Sequence, residues 1–446
     1  MTRHASRPMR SVGGHLILGL LFFARVLGAQ DLVVTPHDKS GIYHQGDIVG
    51  WTISVASGQQ ASPGLYSYKV MQNGAVQIGA GTLDLASGMQ KIETKMDAPG
   101  MVIVEITPPA NAMQAFGNTS TGGKGRVRLG AAVDPTHIRP TEPAPADFDQ
   151  FWTSKLALLD RVPMNVQLTQ KESGVAGVDY YIVRMDNIQG AHIYGQLARP
   201  SRDGKFPAVM QLQWAGVYPL QREWITQRAA QGWLVFDIEA HDLPGDMPQA
   251  FYDQMPTLIR NYNSIYDDDR DRNYFLRMYL GDYRAVEYLA SRPEWDGKTL
   301  VATGTSMGGQ QSLVVAGMNQ RVTHVVVDVP AGGDANASLH GHMVGYPNWD
   351  SKDARVAETA RYFDVVNFAS RIRVPTMIAM GFIDDVTPAI GQWTEFNVLQ
   401  GVKEAVPMVE SSHNHLATPA QHMAWSTRSK AWFDALVTGE MPVIPK

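Results

Sequence analysis

From about residue 200 onward, apolar positions come in short unbroken runs separated by stretches with helical spacing. Ala208 to Leu212, Leu234 to Ile238, Leu300 to Ala302, Val325 to Val329, Thr376 to Ala379 and Val406 to Val409 are such runs. A run with no polar alternation predicts a strand buried on both faces. Between the runs, Trp224 with Ala229, Phe275 to Arg292, Gln310 to Met318, Ile390 to Leu399, and Trp425 with Trp432 and Leu436 mark helices. Strands alternating with helices predict a mainly parallel, doubly wound α/β sheet, whose functional residues sit at the carboxyl ends of its strands. Ahead of it, Tyr180 to Met185 and His192 to Leu197 alternate and are joined through Asn187 to Gly190 as a hairpin. Earlier still, Asp147 is placed to cap a helix in which Phe148, Phe151, Trp152, Leu156 and Leu159 recur at helical spacing.

The N-terminal part has a different rhythm. Ile48 to Val55, Leu65 to Met71, Gly81 to Leu85 and Met101 to Thr107 are short runs rich in Val, Ile, Tyr and Thr, punctuated by Gly, Pro, Asn and Asp. This spacing predicts a small all-β domain at 31–110, a sandwich of immunoglobulin-like type. Residues 111–145 are rich in Gly, Thr, Ala and Pro and read as a linker with one strand at Gly125 to Leu129, leaving 146–446 for the α/β domain. The first 29 residues have the pattern of a signal peptide: Arg3, Arg7 and Arg10, an apolar stretch from Leu16 to Phe23, and small residues at Gly28 and Ala29. Arg25 departs from that pattern. The protein is expected to be exported, to the periplasm or outside the cell, with no stable membrane span.

Composition narrows the chemistry. A net charge of -5 over 446 residues is mild and offers nothing built to neutralise phosphate, so nucleic acid is not an expected partner. The absence of cysteine removes disulfides, thiolate metal sites and cysteine nucleophiles together. The 13 histidines are scattered, with no H-E-x-x-H or similar cluster, and neither a metal nor a cofactor is expected.

Gly304-Thr305-Ser306-Met307-Gly308 fits the G-x-S-x-G pattern, with an apolar strand before it and helical spacing after it. Such a turn holds a serine hydroxyl above the end of a sheet. Serine needs a base, and the base needs an orienting carboxylate, in the chain order Ser, acid, His. After Ser306, the first carboxylates at a strand end are Asp384 and Asp385, with Asp385 the better candidate for a helix cap before Pro388. Past the last strand come His413, His415 and His422; His413 and His415 both suit a loop returning over the sheet, and His422 falls on the last helix, facing solvent. The oxyanion donors are expected to be the backbone N–H groups of Met307 and of Ala215, in the unbulky loop Gln213-Trp214-Ala215-Gly216. Trp214, Tyr218, Tyr346 and Trp349 are aromatic residues in loops near this site, placed either to stack on a substrate ring or to serve as core and lid residues. His241 and Asp242, after another strand, are candidates for substrate contact or for turn hydrogen bonds.

From Asp147 to Leu436 the chain resembles the acetyl xylan esterase and cephalosporin-C deacetylase family of α/β-hydrolases. The resemblance rests on Asp147-Phe148-Asp149-Gln150-Phe151-Trp152, Asp282 to Glu287, Gly304 to Gly309, Asp328-Val329-Pro330, Tyr362 to Ala369, and the stretch from Gly381 through Lys403-Glu404 to His413. It implies Asp384 as the acid and His413 as the base. Three departures stand out: Met307 where the family has Gln, Asn414 where it has Glu, and Ala240-His241-Asp242 in place of Arg-Gly-Gln. The resemblance implies hydrolysis of acetyl esters on oligo- or polysaccharides through an acyl-serine. It also implies a homo-oligomer, the family's usual ring-shaped hexamer, which an extra N-terminal domain would obstruct. Two other readings of the same residues are a serine peptidase or aminoacyl hydrolase, and a carbohydrate-binding protein with a degenerate hydrolase domain.

Overall fold

The computed structural model describes residues 32–110, 126–255, 259–413, 416 and 418–445; the expected leader at 1–29 lies outside the described residues. The first eight strands are β1 (Leu32–Pro36), β2 (Ile42–Tyr43), β3 (Val49–Val55), β4 (Tyr66–Gln72), β5 (Val76–Leu83), β6 (Gln90–Thr94), β7 (Gly100–Thr107) and β8 (Val127–Val133). They form a three-stranded sheet, β1-β3-β6, and a five-stranded sheet, β2-β8-β7-β4-β5. Trp51, Ile53 and Ile92 from the first share a core with Tyr66, Val70, Val102, Val104 and Leu129 from the second. Because side chains alternate along a strand, the neighbours Met101 and Ala132 turn the other way and join the core of the α/β part. The five-stranded sheet is therefore covered on both faces at β7 and β8, while its edge strand β5 stays largely exposed.

β8 overlaps the one strand expected within the linker, at Gly125 to Leu129, and runs on to Val133. It pairs antiparallel with β7 from Gly100↔Val133 to Ile106↔Val127, so the N-terminal sheets extend past residue 110. Its second half gives a weak signal because Gly130, Ala131 and Ala132 pack by being small, which reads as loop composition. β1 and β6 lie among turn residues and polar positions and were not expected.

The large sheet comprises β9 (Gln167–Lys171), β10 (Val178–Asp186), β11 (His192–Pro200), β12 (Phe206–Leu212), β13 (Leu234–Ile238), β14 (Trp295–Thr305), β15 (His324–Asp328), β16 (Thr376–Gly381) and β17 (Lys403–Met408). Its order is β17-β16-β15-β14-β12-β13-β11-β10-β9. The strands from β12 to β17 pair in parallel, and β11, β10 and β9 extend the sheet antiparallel. Alternate residues of the continuous apolar runs serve two cores. Met210, Phe236, Ala302, Val327 and Ile378 pack under helices that include Tyr274–Ser291 and Met307–Met318. Val209, Val235, Val301, Val326 and Met377 pack under Arg222–Ala230 and Met423–Val437. The two edge strands behave differently. β9 is exposed along its whole length, and β17 alternates, burying Glu404, Val406 and Met408, so it starts earlier than its apolar end suggests. Among the described residues no helix is long and apolar enough to cross a membrane.

Between β14 and the helix Met307–Met318 there is one residue, Ser306, with φ 58° and ψ -121°. A non-glycine residue there is strained by about 1–3 kcal/mol and needs support from its surroundings. Support comes from β15 and the turn after it: the Ser306 N–H donates to the Asp328 carbonyl at 3.0 Å, and the Ala331 N–H donates to the Ser306 carbonyl at 3.1 Å. Close approach does the rest. A Cβ on Gly308 would overlap the Leu212 carbonyl oxygen at the end of β12, and one on Gly304 would overlap the Gly308 backbone. Gly308→Ala is therefore expected to lower stability by about 1–3 kcal/mol. The check is the urea midpoint, which should fall with its slope unchanged; an unaltered midpoint contradicts this packing.

Candidate active site

Three loops at the carboxyl ends of β14, β16 and β17, on the same edge of the sheet, bring Ser306, Asp384 and His413 together. Ser306 follows β14, Asp384 lies in the loop after β16, and His413 in the loop after β17. His413 Nε2 is 3.0 Å from Ser306 Oγ, and His413 Nδ1 is 2.7 Å from Asp384 Oδ2. A carboxylate can only accept from the ring, so Nδ1 carries the proton and Nε2 presents its lone pair to the serine hydroxyl. Asp384 is itself held fast. Its Oδ1 accepts the N–H groups of Val386 and Thr387, each at 2.8 Å, and its Oδ2 also accepts the Thr387 hydroxyl at 2.9 Å. With Asp384 only 2% and Ser306 5% exposed, few water molecules compete for these bonds. The arrangement can take a proton from a serine hydroxyl and hold the resulting imidazolium against a buried carboxylate.

The other acid and base candidates fall elsewhere. Asp385 does not cap the helix that follows; its Oδ2 lies 3.4 Å from Nη1 of Arg128 on β8. His415 and Asn414 lie outside the described residues. Thr387, which binds Asp384 and approaches His413 Nδ1 at 3.1 Å, went unnoticed in the sequence although it stands three residues past the acid, where a loop folds back on its own carboxylate. Asp147 does not cap the helix Phe148–Asp160 through its side chain; it accepts from the Tyr362 hydroxyl at 2.5 Å and pairs with Arg270.

Met307 opens its helix, so its N–H has no acceptor within the helix. The loop of Trp214 and Ala215 is set beside that helix by several bonds. Gln311 Nε2 donates to the Gln213 carbonyl at 2.9 Å, the Gln213 amide bridges the Tyr218 carbonyl and the Ala240 N–H, and His241 Nε2 lies 2.8 Å from the Gly216 carbonyl. A carbonyl accepts, so Nε2 of His241 bears its proton, and Nδ1 accepts from the Tyr274 hydroxyl at 3.0 Å. Burial pushes the His241 pKa down to about 4, which keeps it neutral. With both nitrogens occupied and 2% exposure, His241 is a buried prop for the Gly216 loop and has no nitrogen left for a substrate. Asp242 reaches across to β11 instead of bonding within its own turn, accepting the His192 N–H at 2.8 Å.

The four aromatic candidates divide evenly. Trp214 is 42% exposed and stacks on Tyr218 with ring centroids 5.1 Å apart, leaving an aromatic face at the surface. Trp349 is buried against Phe275 and Phe363, and the Tyr346 hydroxyl donates to Tyr262 at 2.8 Å above the Met307 sulfur. Tyr346 and Trp349 are thus packing residues. Where the resemblance expects Gln, Met307 lies fully buried against the Tyr262 and Tyr346 hydroxyls.

His422 does not face solvent. Its Nε2 is 3.0 Å from Asp328 Oδ2 and its Nδ1 3.1 Å from the Ser411 hydroxyl, so both protons of the charged ring are accepted. Burial opposes that charge, but the hydrogen bond and charge of Asp328, with Asp384 acting at longer range, hold the His422 pKa above its ordinary 6.5. Asp328 also accepts the Thr305 hydroxyl at 3.3 Å, so the pair lies under the turn that carries Ser306. A raised folded pKa means that the pair stabilises fully below about pH 6.5 and loses its contribution as pH rises through the folded value. His422→Gln should therefore lower Tm by a few degrees at about pH 6, with the gap closing toward about pH 9. Thermal unfolding across that range checks it, and a gap that stays constant contradicts the pairing.

Comparison with known proteins follows the same stretch of chain. The acetyl xylan esterase (AXE1) family model matches residues 135–428, starting just after β8. Acetyl esterase Axe7A of Xylanibacter ruminicola is 31% identical over 296 residues, covering 64% of this chain and 67% of that protein. Among solved structures, the acetyl xylan esterase from Paenibacillus sp. R4 aligns with a TM-score of 0.57 at 22% identity, covering 67% of this chain and 98% of that one. Acetyl xylan esterase 1 from Thermoanaerobacterium sp. JW/SL YS485 aligns with a TM-score of 0.54 at 21% identity, covering 66% of this chain and 97% of that one. These two likenesses speak for the fold. The chain belongs to the acetyl xylan esterase family and is a carboxylic ester hydrolase on an α/β-hydrolase fold.

Proposed function

We propose that this protein is an exported serine esterase that removes acetyl groups from acetylated sugars, xylan or xylo-oligosaccharides, with Ser306 as nucleophile, His413 as general base and Asp384 as its orienting carboxylate. The observation that carries this reading is the continuous hydrogen-bonded path from Ser306 Oγ through His413 to Asp384, at 3.0 and 2.7 Å, in a member of this family. In the proposed reaction His413 Nε2 takes the hydroxyl proton as Oγ attacks the acetyl carbonyl carbon. The negative charge on the former carbonyl oxygen falls to the backbone N–H groups of Met307 and Ala215. Collapse breaks the bond to the sugar oxygen, which leaves with the proton from His413, and the acetyl group stays on Ser306. Water, deprotonated by the same nitrogen, then releases acetate and restores the serine.

Trp214 is the residue we assign to the sugar, since its exposed ring offers an apolar face next to the loop that bears Ala215. The two N-terminal sheets are read as a sandwich of immunoglobulin-like type ahead of the hydrolase domain, and residues 1–29 as the leader for export.

Ser306→Ala should cut acetate release by at least about four orders of magnitude, as expected for a nucleophile acting as one unit with its base. Acetylated xylan, acetylated xylo-oligosaccharides and a cephalosporin, assayed side by side, test the substrate. The sugar esters should turn over faster than the cephalosporin. Near-normal turnover by Ser306→Ala contradicts the mechanism, and hydrolysis of the cephalosporin without the sugar esters contradicts the substrate.

A further inference from the structure

The eight N-terminal strands lie ahead of the stretch shared with the family, yet they reach the loop that carries Asp384. Along β8, Leu129, Ala131 and Val133 point into the sandwich core, so Arg128, Gly130 and Ala132 share the opposite face, toward the α/β part. Each of the three makes contact there or belongs to its core. Arg128 is 6% exposed, and its Nη1 donates to the Ile383 carbonyl at 3.2 Å while lying 3.4 Å from Asp385 Oδ2. One guanidinium thus grips the residues on both sides of Asp384. At Gly130 the backbones come so close that a Cβ would fall 2.6 Å from the Phe382 carbonyl oxygen. Ala132 is fully buried within the α/β core, and its N–H donates to the Gly41 carbonyl at 2.8 Å. A Cβ on Gly41 would in turn fall 2.9 Å from the Val409 side chain, where β17 leaves toward His413.

Charge fits the same picture. Glu105, opposite Arg128 in the β7–β8 register, has Oε1 3.7 Å from Arg128 Nε, so the buried cation sits between a carboxylate of its own sheet and Asp385. A buried charge flanked in this way holds one orientation, because moving it would leave it unpaired. Asp384 lies between the two gripped residues, and its bond to His413 tolerates little displacement.

We propose that Arg128 is a positioning residue for Asp384, so that the N-terminal sandwich forms part of the ester-hydrolysing machinery: its sheet face is the wall against which the acid loop is set. This rests on the reading of Asp384 as the carboxylate that orients His413. A misplacement of about 1 Å in such a constellation costs on the order of a hundredfold in rate.

The test uses the full chain and p-nitrophenyl acetate, with Arg128→Met, Asp384→Asn and the double variant, each checked for folding by its urea midpoint. Arg128→Met keeps the aliphatic stem and removes the donors. Its kcat should fall by about 10- to 100-fold with KM within about twofold of the parent. In the Asp384→Asn background the same change should cost less than about twofold, because Arg128 acts through that carboxylate. A parental kcat in Arg128→Met, or an equal loss in both backgrounds, overturns the proposal. If Arg128→Met does not fold, Arg128→Lys carries the test: a kcat reduced by at least about threefold at unchanged KM supports it, and a parental kcat overturns it. Should Asp384→Asn itself keep parental kcat, the reading of Asp384 falls, and the proposal with it.

Discussion

The carbonyl oxygen of Leu212 occupies the space that a side chain on Gly308 would need, and this approach lets β14 turn into a helix within a single residue. That residue is Ser306, held at a positive φ by backbone bonds to Asp328 and Ala331 on the neighbouring strand and turn. Strain of about 1–3 kcal/mol is small beside the burial of the strands around it, and the surrounding sheet over-determines the turn. The same approach sets the Gln213 to Gly216 loop beside the first N–H groups of the helix. A serine hydroxyl and the backbone donors we assign to the oxyanion are thus brought together by one close approach and fixed by the hydrogen bonds of Gln213, Gln311 and His241.

Two histidine–aspartate pairs stand near that turn, and they differ in what the second nitrogen meets. His413 joins Asp384 to the Ser306 hydroxyl, so its Nε2 is available for proton transfer. His422 joins Asp328 to the Ser411 hydroxyl and never reaches Ser306, so its protonation affects the footing of the turn. Alongside them, His241 is neutral and locked between Gly216 and Tyr274. The same side chain serves as proposed base, ionic brace and neutral prop according to its partners and burial.

Ser306 and Asp384 were legible in the sequence because apolar runs locate strand ends and the turn needs its glycines, whereas spacing left His413 and His415 as alternatives and only the family resemblance pointed to His413. The buried strands were legible for the same reason, as Leu234 to Ile238 illustrates. What stayed hidden depends on partners distant in sequence. Asp385 reads as a helix cap until Arg128 arrives from β8, and His422 reads as a surface residue until Asp328 lies beneath it. Tyr346 and Trp349 read as loop aromatics because nothing in their own segments reveals Tyr262, Phe275 or Phe363. Strand β9 has one apolar residue, Leu168, and it is exposed like the rest of this edge.

In the proposed mechanism the Ser306 hydroxyl, activated by His413, is the attacking group. Treatment with a fluorophosphonate, which reacts with activated serines, followed by peptide mass spectrometry, tests it most directly. Esterase activity should be lost in step with a single label on the peptide bearing Ser306. Inactivation with the label on another residue, or full activity with Ser306 labelled, would contradict it.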